Sequence, residues 1–435
     1  MTMGKSMILV VAWLGLIVQS LPGAAAEQAS TRQADKGEYA EPFKDLYDHL
    51  GKVYPCFEMK GIDWKKVGEE LLPRSEKVTT QRDFGLLVLE LVARLEDSHA
   101  VVQEGTAAPP EPELPSWDPG MTCLMDDRDR PVVYVVEKNS PAQRAGVRVG
   151  MAVVSVNGEP AADVMKSWMG KVSRYYGYSS KNVLSYDAVR GFLAQAHKGD
   201  RVTLELEAPD GAKSGVLLKA DVAPRYIPRL PVPRRGIGDS ADVSWTKLDD
   251  GIGYIYVRRI RDGLEDSLDD AIRGLRGVKG LIIDVRGNSG GGFDSERALR
   301  NFGDDAEEPN RPRFHRAIAV LIDGRTISAG EGWASWFMAK KRARFFGSTT
   351  AGASSRKEVF TLKNGFYKVV VPVKAYTGFL DRPIERRGLE PDVEVRCSAK
   401  DLAEGRDTVV EKAREWLKSQ PATTQAAAAG SCSGN

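Results

Sequence analysis

The chain has 435 residues, enough for two or three units with their own cores. Its 62 Lys and Arg nearly balance 60 Asp and Glu, a formal net charge of +2, so no global field favours nucleic acid or an acidic surface. The four histidines (His49, His99, His197, His315) are scattered, none forms a His-x-x-x-His pair, and no phosphate-binding loop or nucleic-acid motif is present, so a histidine-rich metal site is not expected.

Residues 1–26 read as a secretory leader. Lys5 gives the basic start, Met7 to Leu21 the apolar stretch, and Ala24-Ala25-Ala26 a small-residue cleavage site. Pro22-Gly23 ends the apolar run too early for a membrane span, with an uncleaved anchor as the other reading. The mature protein is therefore expected in the periplasm or outside the cell. There Cys56, Cys123, Cys397 and Cys432 are free to pair, but their irregular spacing leaves disulfides and buried free thiols equally open.

Residues 27–104 read as helical. Phe43, Leu46, Tyr47 and Leu50 recur at helical spacing, as do Leu87, Leu91 and Leu95 in a long helix starting after Thr79-Thr80. That helix ends at Glu96-Asp97-Ser98-His99, and Ala100-Val101-Val102 follows as a candidate strand. Residues 105–115 are a linker by their Pro and Glu content.

Residues 116–223 form the next unit. The β-rich Val132–Val136 is followed by Ser140-Pro141-Ala142, Ala145-Gly146-Val147, and Val153–Val156 with Asn157-Gly158. Asn-Gly suits a hairpin turn, and Ser-Pro-Ala starts a short helix. This succession resembles a PDZ domain of the protease-associated bacterial type. Such modules bind extended peptides or the C-termini of proteins by strand addition. The resemblance points to Gly120, Met121 and Thr122 as the loop that would hold a terminal carboxylate.

Residues 224–419 alternate strands with helices, which implies a sheet of parallel character covered by helices. Buried strand Gly280–Val285 runs into Arg286-Gly287-Asn288-Ser289-Gly290-Gly291-Gly292. A second buried strand, Ala317–Ile322, is followed by a turn, Ser328, and a helical pattern. Ser328 with Glu331 three residues on reads as a capping box, yet a hydroxyl at that junction also sits where free N–H groups stabilise an oxyanion. Residues 420–435, rich in Ala, Thr, Gly and Ser, are expected to be disordered.

Four motifs fall in order: Asp284-Val285-Arg286-Gly287-Asn288-Ser289-Gly290-Gly291-Gly292, Ser328-Ala329-Gly330-Glu331, Gly347-Ser348-Thr349-Thr350-Ala351-Gly352, and Gly388-Leu389-Glu390-Pro391-Asp392-Val393. Together they resemble the serine peptidases of the carboxy-terminal-processing protease and tricorn type, over Tyr39 to about Val395. The resemblance implies a multidomain α/β and β protein with a helical N-terminal region, a PDZ-like domain and a crotonase-like core. It also implies Ser328 as nucleophile, with an oxyanion hole from Ala329 N–H and Gly290 or Gly291. The processing branch carries a lysine directly after the last motif glycine, where this sequence has Ala353; Lys357, four residues further, is the alternative base. The tricorn branch uses a histidine from the N-terminal region, matched here by Ser98-His99. His99 would be the general base, oriented through Ser98 and Glu385, with Glu390 as the other candidate carboxylate. The expected chemistry is hydrolysis of protein or peptide substrates with no metal or organic cofactor. The rival readings are a Ser328–Lys357 peptidase and a catalytically silent relative that binds peptides or other ligands.

Overall fold

The computed structural model describes residues 37–223, 227–238, 240–292, 296–303 and 311–421. The expected leader, Cys432 and nearly all of the expected disordered tail lie outside the described residues.

The C-terminal half is built on a six-stranded sheet. Its order is Val393–Glu394, Arg344–Gly347, Ile318–Ile322, Leu281–Asp284, Gly253–Val257 and Val243–Lys247. Neighbours run parallel except the last pair, which is antiparallel. The three central strands are buried along their whole length, as parallel strands are when crossover helices cover both faces. Ile255, Val257, Ile283, Val320 and Ile322 pack with helices Leu264–Gly274 and Ala329–Ala339. Tyr254, Tyr256, Ile282, Ala319 and Leu321 pack with the C-terminal helix Thr408–Ser419. The mixed α/β architecture follows from this layering.

An antiparallel sheet occupies the middle of the sequence. It runs in the order Met121–Met125, Pro131–Val136, Ala152–Val156, Arg201–Glu207 and Lys213–Lys219, with Glu159–Pro160 folded back on Ala152–Val156. Asn157 and Gly158 both have positive φ (52° and 84°), the geometry a two-residue hairpin turn needs. Ser140 caps the one-turn helix Pro141–Arg144. Helices Ala161–Ser173 and Lys181–Gly191 share the core of this sheet.

The N-terminal helices Ala40–Val53, Phe57–Lys60, Trp64–Ser75 and Gln81–Ala93 do not close a core alone. Phe43, Leu46, Leu50, Phe84 and Leu91 pack with Tyr367, Val369 and Val371 from far along the sequence. Those residues lie on strand Tyr367–Ala375, which pairs with Val101–Glu104 on one side and Ser355–Thr361 on the other. The late β-rich segment thus completes the N-terminal core. Val101 lies opposite Val370, so His99, two residues earlier, is carried onto the C-terminal half.

Cys56, Cys123 and Cys397 are buried free thiols. Among the described residues no helix is long and apolar enough to cross a membrane.

A buried ion cluster sets the start of the glycine-rich loop. Arg286 Nη2 lies 2.6 Å from Asp284 Oδ2, and its Nη1 and Nη2 reach Asp407 at 3.1 and 2.8 Å. Burial alone would raise the Asp407 carboxyl, but Arg286 holds it down at about 2. Asp407 also caps the C-terminal helix. The cluster therefore joins the end of strand Leu281–Asp284 to the helix beneath it. Arg286→Met removes the cation bonded to Asp284, which keeps the Tyr254 hydroxyl, and leaves Asp407 the longer contact to Arg234 at 3.4 Å. It is expected to cost about 3–5 kcal/mol of unfolding free energy in urea denaturation. A loss below about 1 kcal/mol would mean that the cluster contributes no more than a surface pair.

Candidate active site

Ser328 sits between strand Ile318–Ile322 and helix Ala329–Ala339 with φ 59° and ψ −125°. A serine there is strained by roughly 1–3 kcal/mol and persists only where its surroundings enforce it. The enforcement is visible. Ser328 N–H donates to Ala353 O at 2.9 Å and to Glu331 Oε2 at 3.2 Å. Its carbonyl accepts from Gly332 N–H at 3.0 Å and from Ser354 Oγ at 3.1 Å.

Glu331, expected as the partner in a capping box, is far more than a cap. Its fully buried carboxylate also accepts from Thr350 Oγ1 (2.5 Å), Gly352 N–H (2.7 Å), Ala353 N–H (3.0 Å) and Ser354 Oγ (3.2 Å). Burial pushes this carboxyl up to about 7 while the hydrogen bonds pull it back. One side chain thus fixes the serine and the whole Thr350–Ser354 loop together.

The glycine loop lies directly against the serine. A β-carbon on Gly290 (φ 73°) would come within 2.7 Å of Ser328 Cβ, and one on Gly291 within 1.6 Å of Ile260 O. Only glycine permits both approaches. Gly290 is a candidate oxyanion donor by its place in the sequence, but its N–H is donated to Asn288 Oδ1 at 2.8 Å. The N–H groups of Gly291 and Ala329 carry no hydrogen bond among the described residues. Asn288, which sequence reading does not single out, acts as the wedge here: its Nδ2 donates to Val257 O at 2.7 Å.

Ser98, His99 and Glu385 come together with residues that sequence reading misses. Ser98 and Ser179 bond reciprocally, each N–H to the other's Oγ at 3.0 Å, and Ser179 also bonds the Glu385 carboxylate. Glu385 is fully buried, accepting from Lys60 Nζ at 2.7 Å and from Ser354 N–H at 3.1 Å. His99 N–H donates to Asp97 Oδ1 at 2.9 Å, and Asp97 accepts from Tyr54 OH at 3.1 Å. The expected orientation of the imidazole through Ser98 is not formed, since His99 Nδ1 is buried without a partner. Glu390 belongs to no part of this network and lies exposed.

Lys357 stands on strand Ser355–Thr361, not in a loop, at a register shift next to Arg356. Lys357 is exposed, yet the protein packed around its ammonium lowers its proton affinity, and its charge helps to depress that of His99. Gly120 is less suited to a carboxylate than expected: its N–H is donated to Asp118 Oδ1 at 2.6 Å and its carbonyl accepts from Glu137 N–H. Met121 and Thr122 are buried in the edge strand that follows.

Burial, then the Lys357 charge, push His99 down to about 4, so the ring is neutral at neutral pH and able to accept a proton. The unfolded protein takes up that proton near pH 6.5. The stability His99 contributes is complete above that pH and declines as pH falls from there toward 4. An NMR titration of the His99 ring is expected to show a midpoint near pH 4; a midpoint in the ordinary histidine range would mean that the ring is solvated.

Residues 251–301 and 294–395 match peptidase family S41, and residues 35–93 match the tricorn protease C1 domain. A chloroplastic carboxyl-terminal-processing peptidase 2 from Arabidopsis thaliana is 22% identical over 374 residues, 80% of this protein and 67% of that one. The carboxy-terminal processing protease CtpB of Bacillus subtilis is 23% identical over 415 residues, 89% of this protein and 74% of that one. Among solved structures, mature CPAF superposes with a TM-score of 0.60 at 15% identity, covering 87% of this protein and 97% of that one. The protein thus carries a peptidase S41 domain and a tricorn protease C1 domain, the domains of a serine peptidase.

Proposed function

We propose that this is an exported serine peptidase in which Ser328 is the nucleophile and His99 its general base. His99 accepts the Ser328 proton as Oγ attacks a peptide carbonyl. The N–H groups of Gly291 and Ala329 receive the oxyanion, the amine leaves with the proton from His99, and water hydrolyses the acyl-enzyme. Glu385 and Ser98 act through the network around the base and do not touch the substrate. The observation that carries this reading is the chain of polar contacts that ties the Ser328 carbonyl through Ser354, Glu385, Lys60 and Asp97 to the backbone N–H of His99, and so holds the two segments together.

The core is proposed to be crotonase-like and the middle sheet PDZ-like. The edge position of Met121–Met125, with helix Lys181–Gly191 against it, suits strand addition by a peptide. A Ser328–Lys357 peptidase is the second reading, favoured by the lowered proton affinity of Lys357.

Cleavage of an unfolded protein by purified variants separates the two. Ser328→Ala and His99→Ala are each expected to lose at least about 10³-fold in kcat, and Lys357→Ala less than about tenfold. Loss with Lys357→Ala and retention with His99→Ala would transfer the base role to the lysine.

A further inference from the structure

The base and the nucleophile come from different halves of the sequence, and one side chain joins the two. Lys60 ends the one-turn helix Phe57–Lys60, and its side chain is 1% exposed. Its ammonium lies 2.7 Å from Glu385 Oε1 and 3.6 Å from Asp97 Oδ2, and donates to Glu96 O at 2.6 Å. The adjacent residues repeat the contact in the opposite sense, because the Arg386 guanidinium donates to Met59 O at 2.6 Å. Glu96 and Arg386, each next to one of the two carboxylates, are held at positive φ (47° and 68°). The backbone on both sides is bent to make this junction.

A buried ammonium is retained only when it is matched, and this one is matched by a carboxylate from each half. Asp97 accepts the His99 N–H, while Glu385 accepts the N–H of Ser354, whose hydroxyl bonds Ser328 O. We propose that Lys60 is a positioning residue for the reaction, the cation that fastens the His99 segment onto the Ser328 loop. This inference rests on the reading of Ser328 and His99 as nucleophile and base. Without the ammonium, Asp97 and Glu385 face each other in a buried site and repel, and the junction opens or takes up a proton. Lys60 never touches the substrate. It governs where the imidazole stands.

The groups around this junction decide how it titrates. Glu385 is pushed up by burial and by Asp97 and pulled back by Lys60 and the Ser179 hydroxyl. His99 is flanked by Lys357, Asp97, Lys60 and Arg325. Tyr54 and Cys56 complete the wall from the helical side.

In the full-length protein, Lys60→Met is expected to lower kcat on an unfolded protein by about 10²-fold with KM little changed, because a displaced base costs rate more than binding. Its acid limb should move up by about one pH unit or more, since Glu385 loses its cation. Lys60→Arg should recover most of the rate. The readout free of turnover is the His99 ring in a Ser328→Ala background. Its NMR titration should shift from near pH 4 toward the ordinary histidine range once Lys60 is Met. Should Lys60→Met alone fold poorly, Lys60→Gln keeps a polar side chain of similar length without the charge, and a His99 shift in the same direction is expected. An unchanged kcat, pH limb and His99 titration in Lys60→Met overturns the proposal. If instead wild type and Ser328→Ala cleave equally poorly, the peptidase reading fails, and the His99 titration alone decides the role of Lys60.

Discussion

Ser354 lies between two buried carboxylates, and the site depends on satisfying both of them. Its hydroxyl reaches Glu331 and the Ser328 carbonyl, and its N–H reaches Glu385. A carboxylate taken out of water must be surrounded by donors or neutralised. Glu331 meets that demand with donors from Ser328, Thr350, Gly352, Ala353 and Ser354, and so freezes the serine in a backbone conformation it would not adopt alone. Glu385 meets it with Lys60 from the opposite half of the sequence. The first carboxylate shapes the turn at Ser328 and the second attaches the His99 segment.

The N-terminal helices gain their role from packing. They cannot bury their apolar face without strand Tyr367–Ala375, and that strand is continuous through a hairpin with Ser355–Thr361, which starts at the serine loop. Hydrophobic burial therefore brings the two halves together, and the ion contacts at Lys60 set their register. The segment Ser179–Asn182 ties in the middle sheet as well, with Ser180 Oγ on Ala351 O at 2.6 Å and Asn182 Nδ2 on Thr350 O at 3.2 Å. Three regions of the sequence thus converge on one loop of five residues, Thr350 to Ser354.

Features encoded locally are legible in the sequence. The strand-turn-Ser328-helix junction, the glycine run after a buried strand and the helix starting at Thr80 each announce themselves through periodicity and turn chemistry. His99 is legible only by resemblance, because nothing near it in the sequence says what it faces. Lys60 leaves no signal: one lysine at a helix end looks solvated until a carboxylate 325 positions away is known to meet it. Gly290 shows the converse limit. Its backbone suits an oxyanion donor, yet the side group two residues earlier takes the N–H, a competition that spacing alone does not display. Sequence reading places the late β-strands in the C-terminal unit, because alternation reveals that a strand has a buried face, not which core buries it.

The most direct test is a crystal structure of the protein with a peptidyl boronate on Ser328, since such sites tighten only around a transition-state mimic. The proposed mechanism predicts His99 Nε2 within hydrogen-bond reach of the boronate and one boronate oxygen on the N–H groups of Gly291 and Ala329. A boronate approached by Lys357 Nζ, with the His99 ring turned away, would contradict it.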